Sequence, residues 1–143
     1  MCTKEGKIRV ALVCCLMLSA ALLLAPQIGH AFDITIDVAP NTLNLRNQGT
    51  VVTVHTGIAF SSVDGGSVTL NDIPISWWKA DNQGNFVAKF LMDDVKALAD
   101  TGALQVPGEN ELTLMGTTKD GTTFTGTQSI TVINVEPAGS GGK

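Results

Sequence analysis

The sequence predicts an all-β chain, an antiparallel β-sandwich of about seven short strands with one short connecting helix. Three observations predict it. Fifteen Thr follow Ala31, spread through short segments in which apolar and polar residues alternate, the period of a strand with one buried face. Turn signals separate these segments closely enough to leave no room for the long crossovers of a parallel sheet. The 143 residues, 44% apolar and 15% charged, suffice for one buried core, and no period of about 20–50 residues repeats along them. A small β-barrel is the competing architecture.

An export segment precedes the strands. Lys4, Lys7 and Arg9 stand against one acid, Glu5, and an uncharged, largely apolar run extends from Val10 to Ala25. Gly29-His30-Ala31 then puts small residues at the two positions signal peptidase requires, so residues 1–31 read as a signal peptide cleaved before Phe32. The run is short for a spanning helix; an uncleaved anchor is the alternative, through tilt and bilayer thinning. Val13 before Cys14 does not suit a lipoprotein, Lys7-Ile8-Arg9 lacks paired arginines, and Gly6-Lys7 does not fit a type IV prepilin.

Removal of that segment changes the chemistry of the chain. Cys2, Cys14 and Cys15 all leave with it, so the mature protein can form no disulfide. Six basic residues then face twelve acids, a side-chain balance of −6. Nucleic acid and anionic membrane surfaces are poor partners for such a chain, and no membrane span follows the signal. The protein is expected to be secreted or periplasmic.

The strands follow in order. Ile34, Ile36 and Val38 alternate with Thr35 and Asp37, Pro40-Asn41 breaks the run, and Leu43 and Leu45 resume it, giving a kinked first strand over residues 33–45. The β-branched run Thr50–Thr56 reads as a central strand with Val52 and Val54 inward and His55 outward. Residues 67–70 and 73–78 form a hairpin about Asn71-Asp72, two residues that tolerate positive φ. Pro74 cannot donate to a ladder and is expected at an open edge or a bulge.

Asp81–Asn85 is a turn cluster, and Phe86, Ala88 and Phe90 share one face of the strand after it, with Lys89 toward solvent. Asp93 or Asp94 is expected to cap a short helix carrying Val95, Leu98 and Ala99, with Gly102 as its stop. A last pair of strands, 111–115 and 129–135, is joined through Lys119-Asp120-Gly121 and a Thr/Gly-rich arm. The domain therefore spans residues 32–136, and residues 137–143, with nothing to bury, form a flexible tail.

Two stretches carry a resemblance. Residues 36–49, with Val63-Asp64 and Ser67–Asn71, resemble a repeated domain of exported bacterial and archaeal proteins. Gly84-Asn85-Phe86 and Gly108–Leu114, ending in the Asp120-Gly121 hairpin, are similar to the later strands of bacterial immunoglobulin-like domains. The resemblance implies an immunoglobulin-like sandwich, commonly an accessory or adhesion module, and brings no catalytic residues with it.

Candidate chemistry is sparse. His55 is the one histidine of the mature chain, with no Gly-x-Ser-x-Gly elbow to partner it, so it reads as an exposed strand residue rather than a catalytic base. Zinc lacks Cys and a second His. Asp81, Gln83 and Asn85 begin like a calcium loop, but Phe86 stands where glycine is needed and Met92 where the closing glutamate belongs. Turn and cap roles explain these residues better, and no metal or cofactor is expected.

Trp77 and Trp78 are the most informative pair, because neighbouring strand residues point to opposite faces. Ile73, Ile75 and Trp77 are expected on the apolar face, which leaves Trp78 with Pro74 and Ser76 as the candidate binding face. Packing beneath the helix or a loop is the competing role for Trp78.

The reading that results is an exported, non-enzymatic β-sandwich module, binding or structural, at the cell envelope or outside the cell. Its partner is an envelope or extracellular protein or polysaccharide, or a second copy of itself through edge-strand pairing of residues 33–45. A small carboxylate-based hydrolase using Asp81, Asp93, Asp94 or His55 is the third alternative.

Overall fold

The computed structural model describes residues 30–136. The predicted leader as far as Gly29 and the predicted tail from Pro137 lie outside the described residues. Ten strand segments form two sheets: β1 (Phe32–Asp33), β2 (Ile36–Ala39), β3 (Thr42–Asn44), β4 (Val51–Ala59), β5 (Val63–Leu70), β6 (Ile73–Pro74), β7 (Trp77–Ala80), β8 (Asn85–Leu91), β9 (Gly108–Thr118) and β10 (Thr123–Ile133). A 3-10 turn, Phe60–Ser62, joins β4 to β5, and helix α1, Met92–Asp100, follows β8.

The predicted seven runs become ten segments because two of them cross between sheets. One sheet has the order β1-β10-β9-β5-β6, with β3 also on β10; the other is β2-β4-β8-β7. The kinked first run visits both: β1 and β3 lie parallel to successive parts of β10, and β2 between them pairs antiparallel with β4. The run 73–78 divides in the same way. Ile75 N–H donates to Val68 O of the larger sheet, and Ser76 N–H, one residue later, donates to Lys89 O of the smaller.

Turns and ends follow local chemistry. Asn71 and Asp72 take φ of 45° and 68° at the β5–β6 hairpin, the paired positive values of a tight two-residue turn. Pro74 sits on the end strand of its sheet, where its missing N–H costs no ladder bond. Helix α1 buries Met92 and Val95 and ends at Gly102, with φ 78°. Its N-cap is Leu91, with no side-chain cap; Asp93 and Asp94 fall inside the first turn. The expected capping role is corrected accordingly, since the two carboxylates lie two and three residues past the N-cap and act on the helix through its dipole instead.

The core lies between the sheets. Val38, Val52, Val54, Phe86, Ala88 and Phe90 come from the smaller sheet and meet Val68, Leu70, Leu112, Leu114, Phe124, Ile130 and Val132 from the larger. Met92, Val95 and Leu104 close one end. Thr56 is the buried polar side chain among the described residues, and its hydroxyl donates to Phe86 O at 2.6 Å, so its desolvation is compensated.

Candidate functional site

Sheet register fixes the directions of the two tryptophans, and it reverses the expected faces. Trp78 pairs with Ala88, a fully buried core residue, so Trp78 belongs to the inner row Val38-Val54-Ala88. Trp77 pairs with Lys89 and belongs to the outer row that includes Thr53. The alternation that grouped Trp77 with Ile73 and Ile75 fails because the strand changes sheet at Ile75–Ser76. Neither ring enters the core: the two are 42% and 41% exposed, on an edge strand with no buried residue.

Each ring has a definite seat. Lys89 Nζ stands 5.9 Å from the Trp77 ring centroid and 3.4 Å from Thr53 Oγ1, a cation–π contact on the outer face, the side expected of Lys89. Trp78, an inner-row residue on the last strand, projects from the flank of the sandwich and covers Gly65 of the opposite sheet. A Cβ built on Gly65 would stand 2.2, 2.4 and 2.6 Å from Cε2, Nε1 and Cδ2 of the indole. Close approach to Cε2 and to the two five-membered-ring atoms bonded to it places the glycine beneath the ring face.

Two bulges make room for this arrangement. β4 gains residues relative to β8 between His55 and Ala59, and β5 gains them relative to β9 between Asp64 and Thr69. Bulges bend a strand and re-aim its side chains. Ser67 holds the second bulge, its hydroxyl donating to Asp64 O at 2.6 Å and accepting from Thr117 N–H at 2.8 Å. Between the bulges and the edge strand opens a groove of about 370 Å³ lined by Phe60, Val63, Asp64, Gly65, Trp78 and Lys119. Phe60 stacks on the core residue Phe86 at 6.1 Å.

The structure does not gather the predicted binding residues on one face. Pro74 is exposed on β6, paired with Thr69 in the larger sheet; Ser76 is exposed at the crossing; Trp78 lies on the smaller sheet. Asp64, Gly65 and Lys119 were not legible as site residues. Gly65 gave one signal, a glycine inside a strand, which marks close approach of another group.

The remaining candidates have structural roles. Asp81 Oδ1 accepts the N–H groups of Gln83 at 2.8 Å and Asn85 at 2.9 Å. Hydrogen bonds from Asn85, and then from Gln83, hold its carboxyl below the ordinary value of 3.8. His55 is exposed on the outer face, between Asp37 and Val87 in register. Among the described residues no three His, Cys, Asp or Glu side chains cluster as a metal would require, and no helix is long and apolar enough to cross a membrane.

No protein-family model matches the sequence, and no curated protein matches it. A solved structure described as giving structural insight into host cell surface retention of a 1.5-MDa bacterial ice-binding adhesin overlaps 76% of this chain, at 18% identity and a TM-score of 0.38. The overlap takes in 33% of that longer chain, and no residue role passes from it to this one.

Proposed function

We propose that this chain is an exported, non-enzymatic β-sandwich module that acts through its surface, at the cell envelope or outside the cell, with residues 1–31 removed on export. The observation that carries the reading is the exposure of both tryptophans on a free sheet edge, β7, where every residue is open. Large aromatic side chains cost apolar exposure at such a place and are concentrated at binding centres. A paired edge strand can also take up an extended partner by main-chain hydrogen bonds.

The immunoglobulin-like resemblance supports the same reading, as does the −6 balance of the mature chain, which favours neutral or basic partners over anionic polymers. The test is a photo-crosslinking residue at Lys79, on β7, in cells that produce the protein. Recovery of a defined envelope or extracellular partner, reduced by Trp77→Ala or Trp78→Ala, is the expected result. A chain that crosslinks to nothing and binds no surface polymer overturns it.

Self-assembly is the second reading, seated at β7 rather than at residues 33–45. Residues 33–45 are engaged with both sheets, through Ile34 N–H to Thr125 O on the larger and Gly57 N–H to Thr35 O on the smaller, so β7 is the more open edge for pairing with another copy. Light scattering across a concentration series distinguishes it: growth in mass that Trp77→Lys abolishes favours assembly through β7, and a constant monomer mass rejects it.

A further inference from the structure

We propose that the groove beside Trp78 is a subsite for one neutral pyranose unit of a surface polysaccharide. The proposal rests on the reading of the chain as an interaction module and names the class of its ligand. Trp78 offers a preformed platform: one face of the indole is held against the Gly65 backbone, and the residue is 41% exposed. A pyranose presents a flat patch of C–H bonds that packs on such a ring. Because Gly65 already fixes the indole, little side-chain entropy is lost on stacking.

The rim supplies the polar complement. Asp64 and Lys119 are both exposed at the groove, the first an acceptor and the second a donor for sugar hydroxyls. The ion pair present among the described residues joins Arg46 to Glu136, so Asp64 and Lys119 are not locked in a direct ion pair with each other. Lys119 is fixed at its backbone, where its N–H donates to Ser62 O at 2.8 Å. A volume of about 370 Å³ suits a single sugar ring with water. The acidic balance of the mature chain selects against uronic acids and phosphate-bearing polymers.

The chain has two Trp and no Tyr, so Trp77→Phe leaves Trp78 as the sole strong fluorophore. That variant is titrated with a cello-oligosaccharide and a chito-oligosaccharide, with calorimetry in parallel. A saturable change in Trp78 emission with at least one of them is the expected result. Gly65→Ala, which keeps Trp78 but drives a methyl into its ring, should weaken binding about tenfold or more, as should Trp78→Ala in the calorimeter. Asp64→Asn and Lys119→Ala, exposed changes that leave the core intact, should each weaken it about threefold or more.

Absence of any saturable response to both oligosaccharides overturns the proposal, as does binding that survives the Gly65, Trp78, Asp64 and Lys119 changes at parental strength. The two readings fail separately. A protein crosslinked at Lys79 with no sugar response removes the pyranose subsite and keeps the interaction module; silence in both experiments removes both.

Discussion

The side-chain oxygen of Gln128 accepts the backbone N–H of Val38 at 2.6 Å, a bond from a strand of one sheet to the edge strand of the other. Where the first run leaves β10 to form β2, it loses the acceptor that a neighbouring strand would provide. Gln128 lies at the inner row of β10, flanked by Phe124, Ile130 and Val132 positions that are buried, and its amide supplies that acceptor. A polar side chain at an apolar row position is thereby explained by the crossing.

Gln128→Ala should therefore cost about 1–3 kcal/mol, the penalty of leaving a partly buried N–H without a partner. Gln128→Glu keeps an acceptor at neutral pH and should cost less. Urea unfolding midpoints check both. Equal midpoints for Gln128→Ala and the parent would mean that water replaces the amide without loss.

Gly126 guards the same crossing. A Cβ at this position would stand 2.6 Å from Ile36 Cγ2 and 3.0 Å from Ile34 O, so Gly126→Ala must displace the first run. The expected cost is about 1–3 kcal/mol for overpacking. Hydrogen exchange should quicken at Ile34, whose N–H donates to Thr125 O at 2.8 Å. Protection at Ile34 equal to that of the parent would show that the crossing yields without opening.

The strands were legible where one strand stays in one sheet. Val52 and Val54 face inward, Phe86, Ala88 and Phe90 are buried, and Asn71-Asp72 makes the hairpin turn because those signals need only local alternation and backbone preference. Alternation carries no mark of a sheet change, so the runs 33–45 and 73–78 read as single strands and the faces of Trp77 and Trp78 came out reversed. The groove was hidden for a related reason. Asp64, Trp78 and Lys119 are far apart in sequence, and the bulges that bring them together leave no residue pattern beyond Gly65.

Two phenylalanines separate packing from exposure. Phe90 is fully buried, whereas Phe32 is 40% exposed and touches Phe124 at the sheet margin, with 6.2 Å between ring centroids. Phe90→Ala should cost about 3–5 kcal/mol through lost burial and a cavity, and Phe32→Ala no more than about 1 kcal/mol. Thermal and urea unfolding of the two variants check the ranking. A Phe32→Ala cost equal to that of Phe90→Ala would make β1 an integral part of the core rather than its margin.

Acid sensitivity should originate in two turns. Asp81 is held below 3.8 by the N–H groups of Asn85 and Gln83, and Asp120 by the Thr118 hydroxyl and then the Thr122 N–H. A carboxyl that is more acidic in the folded chain binds fewer protons there than in the unfolded chain. Its contribution is therefore complete above the ordinary value of 3.8 and is lost as the pH falls through the lower folded value. Asn at both positions keeps a side-chain acceptor and removes the titration. The double variant Asp81→Asn with Asp120→Asn should lose stability less steeply than the parent between about pH 4 and pH 2, measured by urea unfolding at each pH. Parallel slopes would assign the acid transition to other carboxylates, with the two turns protonating at their unfolded values.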